Sequence, residues 1–251
     1  MGVWPKAAIR SLERGAWRRL GLRHALPSGL CAEVASRGDW VLYNDIFVDG
    51  EYDEPILAAL AETPPGQSFT VLDLGANVGF FALRLLHLVR RSDAHGRAVH
   101  VTCVEGHPRC EAELRRRLHA GNGLAAQVTS VLGLVGRREG RARISDRAFH
   151  PMRGIAGTRE RGAWVDYIDL ERALPASAEI ALLKCDVEGS ELDFLESYPA
   201  LLRRVQGAVF ELHPGLCDVA RCAELLDAAG LRPRKLLRRT PDFSVEWFAR
   251  A

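Results

Sequence analysis

The segment Val71-Leu72-Asp73-Leu74-Gly75-Ala76-Asn77-Val78-Gly79-Phe80 decides how this chain folds. An apolar strand runs into a glycine turn and from there directly into a helical pattern. Gly75 permits a positive φ and a close approach of backbone to ligand, and Gly79 permits close packing where the next helix begins. Amide groups at such a helix start favour an anionic group. The spacing is D-x-G-x-N-x-G, whereas a dinucleotide fingerprint sets its first two glycines two residues apart. The pattern points to S-adenosylmethionine (SAM) more than to NAD.

Further along the chain, apolar runs predict strands at 98–104, 127–134, 180–185 and 207–212, besides the one at 70–74. Helical patterns follow at 80–91, 109–119, 190–203 and 217–229, the last closed by Gly230 as its C′ residue. A short strand is expected near 141–145, and segments 234–239 and 244–249 read as a closing hairpin. Strands alternating with helices predict an α/β fold, a Rossmann-like, mostly parallel sheet covered on both faces and ended by an antiparallel hairpin. Such a sheet binds its ligand beyond the carboxyl ends of its strands, where strand order reverses. The positions to watch are therefore 73–79, Glu105, Leu132 with Gly133, 186–189 and 211–213.

The division expected is an N-terminal helical appendage over 1–39 and one α/β domain over 40–251. The appendage carries a basic helical pattern at about 5–20 and a loop with Pro27, Gly29 and Gly38; residues 40–47 read as a strand or hairpin. At 251 residues and 47% apolar composition one domain can bury a substantial core. The formal charge is +2, so no extended basic footprint suggests nucleic acid, although 31 of the 34 basic residues are arginine. Arg115, Arg116 and Arg117 read as a solvated helix face supported by Glu111 and Glu113, with a phosphate-binding patch as the alternative. Six cysteines without a C-x-x-C suit a reduced, cytoplasmic protein. No apolar run approaches the roughly 20 residues of a membrane span, and no signal-peptide core follows the basic start.

Glu105 ends the second strand, where a carboxylate can accept both hydroxyls of a ribose, the alternative being a surface acid. The segments Asp73-Leu-Gly-Ala-Asn-Val-Gly79, Val104-Glu-Gly-His-Pro108, Leu183-Lys-Cys-Asp-Val-Glu-Gly-Ser-Glu191 and Phe210-Glu-Leu-His-Pro214 occur in the order and near the spacing of one family. Over about 40–214 the chain resembles the FkbM family of SAM-dependent methyltransferases. That resemblance implies a seven-stranded α/β sandwich and methylation of a small-molecule hydroxyl, often in natural-product or sugar pathways. It further implies that Gly75, Ala76, Asn77 and Gly79 cradle the methionyl part of SAM, that Glu105 holds the ribose, and that Leu132 and Asp186 complete the cofactor edge. Asp73 orders the loop and receives the amino group. One departure is visible: the family often carries an acid soon after the third strand, where this chain has Gly136-Arg137-Arg138.

Methyl transfer to a hydroxyl requires a base, and Asp186 and His213 are the candidates. Glu188 lines the same site or complements a helix dipole. Oxygen ligands Asp186, Glu188 and Glu211 could hold Mg²⁺ in principle, but no spacing fixes their geometry, and no metal is expected. The apolar residues Phe149, Met152 and Ile155 in the glycine-punctuated stretch 146–164 suggest a substrate lid rather than a linker, with His150 as a reserve base. The expected partner is a small-molecule acceptor, without nucleic acid or membrane. The runner-up functions are an N-methyltransferase and a nicotinamide oxidoreductase, the latter without the Tyr-x-x-x-Lys pair such enzymes use for proton relay.

Overall fold

The computed structural model describes residues 15–17, 19–94, 96–145, 162–174 and 179–250. Seven strands form the central sheet: β3 (Phe69–Leu74), β4 (Val99–Glu105), β5 (Val128–Leu132), β8 (Ile180–Cys185), β9 (Val205–Leu212), β10 (Arg232–Arg239) and β11 (Ser244–Ala249). Their spatial order is β10-β11-β9-β8-β3-β4-β5. From β5 to β9 neighbours run parallel, while β11 runs antiparallel to both β9 and β10. Strand order reverses between β3 and β8, so the carboxyl ends of those two strands mark the ligand crevice.

The continuous apolar strands follow from burial on both faces. Val71 packs into one core cluster with Leu85, Leu86 and Val101, and the next residue, Leu72, packs into another with Phe194, Phe210 and Leu183. Successive side chains point to opposite faces, and each fully buried leucine or phenylalanine contributes roughly 1.5–3 kcal/mol. Helix α3 (Phe80–Arg91) covers the first face with α2 (Asp53–Glu62), and α6 (Glu191–Ser197), α7 (Pro199–Leu202) and α8 (Val219–Ala228) belong to the second. The single helix expected at 190–203 is interrupted at Tyr198, ahead of Pro199. Proline disfavours a helical residue before it.

The N-terminal part departs from expectation. A hairpin of β1 (Leu22–Ala25) and β2 (Cys31–Val34) places Leu26, Leu30, Ala32 and Val34 in the same cluster as α3, so packing is continuous across residue 39. Residues 40–47, read as strand or hairpin, are helical: α1 (Arg37–Tyr43) passes into a π-helical turn at Asn44–Val48. Ser36 caps α1 by accepting from the Asp39 N–H, and Trp40, Tyr43 and Phe47 recur at helical spacing and stack on one another. A short helix, α4 (Pro108–Arg115), carries the arginine run into a second π-helical turn. The solvated-face reading holds for Arg115, 62% exposed beside Glu111, but Arg117 is buried between Asp39 and Glu113, pinning α1 to the sheet's helical cover.

Two further elements were not foreseen: β7 (Gly162–Asp166), paired with β6 (Arg141–Ser145), and α5 (Leu170–Ala173). Of the expected lid only residues 162–164 are described, and Phe149, His150, Met152 and Ile155 lie outside the described residues. Among the described residues no helix is long and apolar enough to cross a membrane.

Candidate active site

The glycine loop is a set of left-handed residues: Gly75, Asn77 and Gly79 have φ of 75°, 49° and 86°. Asparagine tolerates this region better than most residues, which explains its place between the two glycines. A Cβ on Gly75 would lie 1.6 Å from the Asp186 carbonyl oxygen, and one on Gly79 would meet Leu118 and Leu114. Gly75 thus serves the approach of two protein loops, β3's and β8's, while Gly79 serves helix packing as expected.

The amides of the loop are largely committed within the protein. Gly75 and Ala76 donate to the Val104 carbonyl at 2.9 and 3.0 Å, and Asn77 donates to Glu105 Oε2 at 2.8 Å. Glu105 Oε1 accepts from the His107 N–H at 2.7 Å. These two bonds fix the orientation of the Glu105 carboxylate beside the loop. At the end of β5, Leu132 is 43% exposed and paired in register with Glu105. The stretch that departs from the family pattern is structural here. Arg138 donates to Glu171 and the Ser197 carbonyl and lies over the Tyr198 ring, bracing α5 against α6.

The loop after β8 is held from both sides by the outer members of its motif. Lys184 Nζ lies 2.9 Å from the Gly75 carbonyl oxygen, 3.4 Å from Asp73 Oδ1 and 3.6 Å from Asp186 Oδ2. Glu191, wholly buried, accepts from the Val187 and Gly189 amides and wraps the loop around itself. Inside this wrap Glu188 and Gly189 take φ of 55° and 100°. Asp73 is fully enclosed against Lys184 and the Cys103 thiol, and burial raises its pKa despite the lysine. Its carboxylate therefore orders the loop from beneath. Asp186 is 25% exposed and keeps a buried Oδ1 without a hydrogen-bond partner.

At the end of β9, His213 Nε2 lies 3.3 Å from Glu211 Oε1. That contact, against the opposing effect of burial, raises the imidazole to about 9. His213 and Glu211 thus form a close pair in which the carboxylate favours the charged imidazole. Its Nδ1 is buried without a partner, and the ring packs on Phe243. Over the same strand ends lies a residue that sequence reasoning missed. The Glu51 carboxylate is 8% exposed and meets Arg238, which also binds Asp45 at 2.9 Å. Burial, then Asp45 and Glu211, outweigh Arg238 and push Glu51 to about 7. Nothing in the local sequence signals it, since Arg238 and Glu211 lie far away in the chain. Among the described residues no group of three or more His, Cys, Asp or Glu is arranged to hold a metal ion.

The strand order, the reversed last strand and a glycine loop tied to a strand-end acid define a Rossmann-like methyltransferase. Residues 73–230 match the methyltransferase FkbM domain, and the chain belongs to that family. The FkbM methyltransferase from Methylobacillus flagellatus KT has a similar fold, with 16% identity and a TM-score of 0.52 over 98% of this chain and 60% of that one. The chain thus spans 60% of that protein's length. Magnesium protoporphyrin IX methyltransferase from Synechocystis PCC 6803, solved with bound SAM, matches at 13% identity and a TM-score of 0.49, over 100% of this chain and 99% of that one. No curated protein matches the chain.

Proposed function

We propose that this chain transfers a methyl group from SAM to a hydroxyl of a small molecule, in natural-product or sugar biosynthesis. The observation that carries the reading is the contact of Gly75 with Asp186, which joins a cofactor loop to an acid with an unsatisfied buried oxygen at the switch point. Glu105 would hold the ribose, Gly75 to Gly79 the methionyl part, and the exposed Leu132 the adenine side. When bound, the cofactor supplies an activated methyl on a sulfonium. Asp186, the partly exposed acid at the switch point, receives the acceptor's proton as the hydroxyl attacks. His213, held against Glu211 through Nε2, is the donor that positions the acceptor. The acids on this side, Asp186 and Glu211, would also suit an amine acceptor, which keeps N-methylation as the second reading.

Calorimetry with SAM and S-adenosylhomocysteine (SAH) tests the cofactor. A mass-spectrometric search for a 14-Da gain across sugars, polyketides and amino acids tests the acceptor. Folded protein that takes up neither ligand at high micromolar concentration overturns the reading, and gains confined to amines replace the hydroxyl acceptor by a nitrogen one. With an acceptor in hand, Asp186→Asn is expected to lower kcat by about 10²–10⁴. His213→Asn, which removes a positioning donor, is expected to cost roughly tenfold.

A further inference from the structure

One ionised group at the switch point has no part in the roles above. Lys184 is 7% exposed, and its ammonium faces one carbonyl and two carboxylates from both strands of the crevice. Burial works against its charge, but Asp73, Asp186 and Glu211 outweigh burial and hold its pKa above that of an ordinary lysine. The charge is fixed throughout the working range of pH. Of the chain's 34 basic residues only Lys6, Lys184 and Lys235 are lysines. A compact ammonium fits between a backbone oxygen and two carboxylates where a planar guanidinium does not.

The two carboxylates exceed the one ammonium by a single negative charge. Asp73 is wholly enclosed, so the excess is presented by Asp186, whose side chain is 25% exposed. SAM and its product SAH differ there by one methyl and one positive charge. We propose that Lys184 is a positioning and specificity residue: it tethers the glycine loop through Gly75 and, by balancing Asp186, sets how strongly the site prefers the sulfonium over the thioether. The inference rests on the SAM reading. With the ammonium present, Asp186 attracts the sulfonium in a damped form, and the product leaves against a modest difference in affinity. Without it, the site favours any cation at the methyl position.

The test is a binding ratio and needs no acceptor. SAM, SAH and sinefungin, whose ammonium replaces the methylated sulfur, are titrated calorimetrically into the wild-type chain and into Lys184→Met, Asp186→Asn and the double variant. Loss of the loop tether weakens all three ligands in Lys184→Met, but the SAM to SAH affinity ratio is expected to rise roughly fivefold, with sinefungin following SAM. In Asp186→Asn the ratio falls by a similar factor, and the double variant returns near the wild-type value. Uniform weakening in Lys184→Met, with the ratio within about twofold of wild type, overturns the proposal and leaves Lys184 a brace. Should Lys184→Met fail to fold by circular dichroism, Asp186→Asn decides, since an unchanged ratio there removes the charge that Lys184 is said to balance. A wild-type chain that binds neither SAM nor SAH instead overturns the cofactor reading, and the inference falls with it.

Discussion

The two halves of the crevice are built differently. Over β3, β4 and β5 the loop edge is paired inside the protein: the amides of Gly75 and Ala76 donate to the Val104 carbonyl, and Glu105 accepts from the Asn77 and His107 amides, at 2.7–3.0 Å, while beneath them the enclosed Asp73 Oδ1 faces Lys184 without a hydrogen bond. Over β8 and β9 the charges are crowded and incompletely satisfied, with buried unpartnered atoms on Glu51, Asp186 and His213. A surface that recognises a constant ligand gains from rigid, pre-satisfied geometry. One that moves protons and admits an acceptor keeps unpaired groups whose desolvation raises or lowers their pKa values. Substitutions on the first side are therefore expected to act on folding and cofactor affinity at every pH, and those on the second through protons.

Gly75→Ala attacks the contrast hardest. Its Cβ would sit 1.6 Å from the Asp186 carbonyl oxygen at a residue with φ of 75°, so strain and overlap add. Thermal denaturation is expected to show a loss of about 4 kcal/mol or more, or no folded protein. A near-wild-type melting curve would mean that the β3 and β8 loops are not locked together, and the two sides could not then be distinguished as rigid and yielding.

Glu105→Ala comes next. It strips the acceptors from the Asn77 and His107 amides and removes the acid placed for the ribose. SAM affinity is expected to fall by about 1–3 kcal/mol, equally at pH 6 and pH 8. A loss that varied steeply over that interval would move Glu105 into the class of proton-handling groups and blur the comparison.

How much of this could be read from the residues divides along the same line. D-x-G-x-N-x-G encodes three left-handed positions in consecutive alternate residues, so the loop's backbone is legible without any tertiary knowledge. The helix after it, Phe80–Arg91, ends where its apolar period does. The N-terminal hairpin escaped because four-residue strands such as Leu22–Ala25 show no usable alternation, and its buried residues sit mainly in the turn and the second strand. Trp40, Tyr43 and Phe47 do carry a helical period, but Val41, Leu42 and Ile46 between them mimic a continuous strand. Lys184 was visible as a letter of a motif, yet its three partners come from two strands separated by more than a hundred residues in sequence. The proton-handling side is least legible because its pKa values exist only after Glu51, Arg238 and Glu211 have been brought together.

Glu51→Gln is the finest test, because its expected effect changes with pH. In the folded chain Glu51 titrates at about 7, against an ordinary value of 4.5. Between those values the folded state binds the extra proton, so this group's contribution to stability falls as pH rises from about 4.5 to about 7 and stays low above it. Glutamine imitates the protonated acid without titrating. The variant is therefore expected to exceed wild type in stability by about 1–3 kcal/mol at pH 8, with the gain vanishing by pH 4.5, when urea denaturation is followed across that range. His213 supplies an internal control of the same sign in a different window, since its pKa is raised to about 9 from 6.5 by Glu211. Its stabilising contribution is complete below about 6.5 and is lost as pH rises through 9, and Glu51→Gln should leave most of that limb in place. A variant that is equally altered at pH 4.5 and pH 8 would show that Glu51 acts by packing alone. The acceptor side would then be as fully committed as the cofactor side.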